Sequence, residues 1–178
     1  EMENTGRSLD IAIQGSGFFQ VSVPGGQTRF SRDGSLRVDA TGNLVTSSGY
    51  QISPAITVPA DARSISVGTD GTVSAFVGDL ATPTVVGQIT LVRFQNPSGL
   101  TSEGNNLLSE TAASGSPMTG IPGQSGMGAI QAGFLERSNV QMVTELVNLI
   151  TAQRAYEINS RAIKTGDDML KTATTLVQ

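Results

Sequence analysis

A chain of 178 residues with 21 Gly, no Cys, no His and a net charge of −4 has room for one domain with a real core plus an appendage. It lacks the thiolates, imidazoles and disulfides on which much hydrolytic, redox and zinc chemistry rests, so the expectation is a non-enzyme with no cofactor. Residues 1–137 hold eleven acidic side chains against seven arginines and no lysine, which speaks against a nucleic-acid surface, and no run of eighteen apolar residues is present to cross a bilayer as a helix.

Residues 9–14 alternate apolar and polar, and after Gly15-Ser16-Gly17 the segment 18–23 does so again, predicting two half-buried strands around a glycine turn. The three residues between them are half of a dinucleotide fingerprint, but they precede a strand rather than a helix and read as turn geometry. Asp33-Gly34, Thr41-Gly42-Asn43 and Asp70-Gly71 are turn sequences whose left-handed positions favour Gly or Asn. Short strands are expected beside them at 35–38 and 72–77, and the longest strand at 85–94. Residues 98–126 are dominated by Gly, Ser, Pro, Thr and Asn and read as long loops around one short strand, anchored by Leu107 and Leu108. Alternation returns over 128–137. Asp33, Asp39, Asp61, Asp70 and Asp79 are scattered irregularly, without the alternate-position oxygens of a calcium loop, so no metal site is expected.

Residues 138–178 read as one long helix. Ser138 with Gln141 fits a capping box at its start. Leu149, Tyr156, Ile163, Leu170 and Val177 recur every seven residues, and Ala152, Asn159, Gly166 and Ala173 fill the offset of three, which is coiled-coil spacing. Large residues alternate with small ones, so a partner helix can approach closely, and Asn159 is placed to fix register. A second row, Ala155, Ala162, Met169 and Leu176, widens the stripe beyond a two-stranded contact. Glu157 with Arg161 and Asp167 with Lys171 place acid before base on an exposed face. The upstream residues look like β structure with its own turns, and Gly166 weakens the helix by about 1 kcal/mol relative to Ala, so a partner is expected to compensate. The expected architecture is a mainly β domain over 1–137 followed by a long C-terminal α-helix over 138–178 that serves as an assembly interface.

Leu9-Asp10-Ile11-Ala12-Ile13-Gln14-Gly15-Ser16-Gly17-Phe18-Phe19-Gln20-Val21, Ser31-Arg32-Asp33-Gly34-Ser35 and Leu44-Val45-Thr46 resemble the central region of bacterial flagellar rod and hook proteins. Ser138-Asn139-Val140, Glu145-Leu146-Val147-Asn148-Leu149-Ile150 and Gln153-Arg154-Ala155-Tyr156-Glu157-Ile158-Asn159-Ser160-Arg161 are similar to the C-terminal helix of that family, nearest to its distal-rod branch. The resemblance implies a rod/hook-type β structure and a helix that pairs with an N-terminal helix lying upstream of Glu1; a chain opening on Glu1, with no signal-peptide pattern, reads as a segment of a longer protein. It further implies a structural subunit of the distal rod, a homo-oligomer stacked with helical symmetry into a hollow drive shaft. Its partners would be other rod and hook proteins and the surrounding bushing ring, with no nucleic acid and no membrane insertion. Export through the flagellar secretion apparatus and residence in the periplasmic basal body follow from the same resemblance. The alternatives are a proximal rod or hook protein of the same family, or, from another class, a carbohydrate-binding or adhesin β module on a helical stalk. The last is weakened by the scarcity of aromatics for sugar stacking, six Phe, two Tyr and no Trp.

Overall fold

Short alternating runs broken by turn residues fold residues 1–137 into strands, and the alanine- and leucine-rich remainder into a helix. In the computed structural model the described residues are 2–78, 82–137 and 142–176, with helix side chains described over 146–166 and at Met169. Two compact units result, Glu1–Arg137 and Ser138–Gln178. The strands, in chain order, are β1 (Met2–Asn4), β2 (Ile11–Gln14), β3 (Phe18–Val23), β4 (Gln27–Ser31), β5 (Leu36–Val38), β6 (Leu44–Thr46), β7 (Gln51–Ser53) and β8 (Ala62–Val67). They continue with β9 (Thr72–Val77), β10 (Thr84–Gln88), β11 (Leu91–Arg93), β12 (Thr101–Gly104), β13 (Leu107–Ser109), β14 (Met118–Gly120), β15 (Ala129–Ala132) and β16 (Phe134–Glu136), and α1 (Met142–Leu176) follows.

The largest sheet runs β12-β13-β4-β3-β7-β6-β5, with β11 sharing the β7 side of β3 and pairing outward with β14. A three-stranded sheet, β10-β9-β8, and two antiparallel ribbons, β2-β15 and β1-β16, complete the unit. One apolar cluster joins residues of three of these sheets: Phe19, Val21 and Leu44 from the largest, Val73 from the three-stranded one, and Ile11, Ile13 and Ile130 from the β2-β15 ribbon. A second cluster packs Phe18, Phe30, Val92 and Phe94, with Phe30 and Phe94 meeting edge to face at 4.8 Å, the arrangement that ring quadrupoles favour.

Several local expectations change. β2 is not half-buried: Ile11, Ala12 and Ile13 are all buried, because β15 and the 34–36 segment cover it. The long strand expected over 85–94 is two strands in different sheets, β10 pairing with β9 and β11 with β3 and β14, separated at Ile89-Thr90. Residues 98–126 contain three strands rather than one, β12, β13 and β14, after a single 3₁₀ turn at Pro97–Gly99; Leu107 joins the main cluster, while Leu100 and Leu108 pack on the aromatic one. Met2–Asn4 pairs with β16. Gly42 and Gly71 take the left-handed backbone their turns require, but Gly34 does not.

Asp33 ties β4 to the β12-β13 hairpin. Its Oδ1 accepts from the Ser35 amide and hydroxyl at 2.9 and 2.6 Å, and its Oδ2 from Asn106 Nδ2 at 3.2 Å and Ser47 Oγ at 3.4 Å. Burial pushes the Asp33 carboxyl up, but the hydrogen bonds from Ser35, Asn106 and Ser47 together outweigh it and hold the group below its ordinary value. The native state therefore binds this proton less readily than the unfolded chain. The stability it contributes is present above the unfolded pKa and is lost as pH falls through the lowered native one. Asp33→Asn is expected to cost roughly 1–2 kcal/mol at neutral pH and to flatten the acid limb of a urea-denaturation series taken from about pH 7 to about pH 2.5; an unchanged acid limb would remove Asp33 from this role.

Just before it in the chain, Arg32 gathers several segments. It donates to the carbonyls of Ile13, Gly15 and Gly17 at 3.1–3.3 Å, pairs with Glu136 at 2.7 Å, and lies over the Phe18 ring at 5.8 Å. Asp10, 2% exposed, has Arg7 Nη1 3.1 Å from its Oδ1, an ion pair whose angle is too poor for a hydrogen bond.

Candidate assembly surface

The helix carries its apolar side chains in the open. At about 1.5 Å per residue, the 35 residues of α1 extend roughly 50 Å. Of the anticipated seam residues, Leu149, Tyr156 and Ile163 are 55–79% exposed, and Ala152, Asn159 and Gly166 are exposed beside them. Leu170 and Ala173 lie on the helix, but their side chains are outside the described residues, as are those of Leu176, Asp167 and Lys171; Val177 and the Ser138 and Gln141 cap also lie outside the description. The Glu157–Arg161 pair forms at 2.6 Å.

A second line of large apolar residues is only partly caught by the heptad reading, which places Met169 in its second row and passes over Val147 and Ile158. Val147, Ile158 and Met169 recur every eleven residues and are all exposed. Leu149 and Ile158 are nine residues apart, or two and a half turns, so these lines run along opposite sides of the helix. The signal was visible as an eleven-residue spacing, close to three whole turns. Between the lines, on one side, stand Asn148, Ala152, Ala155, Asn159, Ala162 and Gly166, all small or uncharged; on the other stand Arg154, Glu157, Arg161 and Lys164, with Leu146 and Ile150 exposed among them toward the N-terminal end. The result is a shallow trough of small residues flanked by two apolar rails, backed by a strip that is charged from Arg154 onward and apolar at Leu146 and Ile150. A Cβ built on Gly166 meets nothing within 4 Å, so no contact within the helix requires glycine there.

Among the described residues the β unit shows no metal cluster and no exposed aromatic platform. Among the described residues no group of three His, Cys, Asp or Glu is placed to hold a metal ion. Phe18, Phe19, Phe30 and Phe94 are buried, and Tyr50, Phe76 and Phe134 are half-buried, so the β unit presents no fully exposed ring for a sugar to stack on. Among the described residues no helix is long and apolar enough to cross a membrane.

Two family descriptions match the chain. Residues 12–75 match the flagellar hook protein FlgE/F/G D1 domain, which here is β2 through most of β9, and residues 131–176 match the flagellar basal body rod FlgEFG protein C-terminal region, which runs from β15 to the end of α1. The chain is 48% identical over 170 residues to the flagellar basal-body rod protein FlgG of Buchnera aphidicola subsp. Acyrthosiphon pisum, covering 96% of this chain and 65% of that one. It is 45% identical over 178 residues to FlgG of Borreliella burgdorferi, covering 99% and 67%. Similarity to the flagellar hook protein FlgE of Escherichia coli is narrower, 40% over 131 residues, covering 74% of this chain and 31% of that protein. The chain thus spans about two thirds of the length of the rod proteins it matches. A β unit matching one family region, joined to a helix matching the other, and near-complete coverage by rod proteins lead to one conclusion: the chain belongs to the flagellar basal-body rod protein family.

Proposed function

We propose that the chain is a structural subunit of the flagellar distal rod, self-assembling with helical symmetry into a hollow shaft that carries torque from motor to hook. The observation that carries this reading is the helix surface: two exposed apolar rails around a trough of small residues, a pattern that leaves its stabilising contacts to be made with other helices. Each large side chain removed from water contributes roughly 1.5–3 kcal/mol, and two rails on opposite sides call for neighbours on both. The seam comprises Leu149, Ala152, Tyr156, Asn159, Ile163, Gly166, Leu170, Ala173 and Val177, extended here by Val147, Ile158 and Met169. Heterologous contacts that do not close would propagate such subunits into a tube rather than a ring. Other rod and hook proteins and the surrounding bushing ring would be its neighbours, and the periplasm, reached through the flagellar export apparatus, its place of work. The hook alternative is favoured less, because the hook relative is matched over under a third of its length.

Gly166 tests the trough. In the isolated chain Gly166→Leu should raise helix content, since Leu is the better helix former by nearly 1 kcal/mol and the space around Gly166 is open. In cells that depend on the full-length protein it should abolish rods and swimming, because the larger side chain holds the partner helix away. Swimming at the wild-type rate with Gly166→Leu would remove the close helix approach from the proposal.

A further inference from the structure

In the β unit, a cavity of about 340 Å3 opens between the 15–17 turn and the end of β11, walled in part by Gly17, Phe18, Arg32, Arg93, Phe94 and Pro97. Its two cations are in different situations. Arg32 is fully engaged by three backbone carbonyl groups and Glu136. Arg93 is half-buried yet makes neither a hydrogen bond nor an ion pair with any described residue. Its guanidinium is not loose: it lies over Gly126, where the backbone is left-handed at φ 77° and a Cβ would stand only 3.0 Å from Nη1. A guanidinium offers five donors in a fixed fork suited to a carboxylate, and withdrawing such a group partly from water without an acceptor is unfavourable. Arg93 is thus held in place, beside a cavity, with no described residue accepting from its donors.

The surrounding charge says what would fill it. Residues 1–137 carry eleven acids against seven arginines, so the cavity with its spare cation is a positive spot on an acidic unit, and the abundant complementary group is a carboxylate of the same protein. Asp61 and Glu110 are both exposed and make no hydrogen bond or ion pair with any described residue. We infer that Arg93 receives the carboxylate of Asp61 or Glu110 from a neighbouring copy of the chain, a lateral contact in the outer β layer, distinct from the helix seam. Pocket on one copy and acid on the next make a head-to-tail contact, which repeats along an open assembly. The inference rests on the self-assembling reading above and adds to it the residues that set register between β units.

The test is charge reversal in cells whose only copy of the full-length protein carries the change. Arg93→Glu is expected to leave the thermal melt of the purified protein unchanged and to reduce assembled rods at least about tenfold; either Asp61→Arg or Glu110→Arg, added to the same chain, should restore them. Arg93→Gln, which keeps length and loses charge, should give a partial loss and is read by the same criteria if Arg93→Glu fails to fold. Wild-type rod numbers in these Arg93 variants, or a loss that neither acid reversal restores, would overturn the contact. Deleting the gene separates the two ideas: cells that still build rods without the protein remove the rod reading itself, whereas rods lost on deletion but intact with Arg93→Glu remove only the Arg93 contact.

Discussion

Ile163→Asp, made in the full-length protein, is expected to abolish rod formation while the β unit folds and melts as before. Ile163 is 68% exposed in the middle of the seven-residue rail, so in the free chain an aspartate there meets water and changes stability by no more than about 0.5 kcal/mol. In a packed tube every copy would place that carboxylate among the apolar side chains of its neighbours. Burying an unpaired charge costs several kcal/mol after relaxation, and the helical arrangement repeats the cost at each subunit, with no register that avoids it. Leu170→Asp should behave the same way one heptad on. The measurements are swimming, electron microscopy of basal bodies, and urea denaturation of the purified protein. Normal motility in both variants would refute the seam, and a collapsed β unit would show that the loss arose from folding instead.

How far the sequence carried the reading depended on whether a segment's physics is local. Residues 18–23 and 72–77 were legible to the residue as β3 and β9, because alternation bounded by turn glycines is written within a few positions. The helix was legible for the same reason, its repeat being a property of neighbouring turns. Residues 85–94 were misread because nothing local reveals that β10 and β11 pair in different sheets; the change of partner at Ile89-Thr90 is decided by residues about seventy positions away, Phe18 and Phe19. The short strands of 98–126 were hidden likewise, since β12 pairs with β13 through a bulge at Ser102/Gly104 that breaks the period. Val147 and Ile158 of the second rail escaped, although Met169 did not, because a heptad frame was imposed on a helix that repeats apolar residues at eleven as well as seven. Arg93 gave no signal at all. Its meaning comes from finding no partner among the described residues while lying against Gly126 beside a cavity, and that placement is a property of the folded unit.

Gly34→Ala is expected to do the opposite of Ile163→Asp: it should destroy the β unit while leaving the helix surface chemically intact. Asp33-Gly34 reads as a turn, but Gly34 does not sit in the left-handed region. Its requirement is space. A Cβ at Gly34 would stand 1.7 Å from the Ile11 carbonyl oxygen and 2.8 Å from the carbonyl carbon, distances that no rotamer relieves, because both atoms are backbone. Relief would require the 9–11 and 34–36 segments to move apart. They are joined by the Ile11 amide donating to the Gly34 carbonyl at 3.0 Å, the Leu36 amide donating to the Leu9 carbonyl at 3.0 Å, and the Asp10–Ser35 bridge. Ile11 and Leu36 are both in the main cluster, so the strain would open the core as well. A loss of about 3 kcal/mol or more takes a large share of the roughly 5–15 kcal/mol that holds a domain together. Gly49→Ala is the control: φ is 85° with nothing within 4 Å, and the cost should be only the left-handed penalty of about 1–2 kcal/mol. Urea denaturation of both variants decides between them. If Gly34→Ala proved as mild as Gly49→Ala, the close approach would be yielding, and β2 could no longer be treated as a fixed support. If the expected gap is found, two variants that both abolish swimming will separate by mechanism: Ile163→Asp with a folded β unit that cannot assemble, Gly34→Ala with no folded unit to assemble.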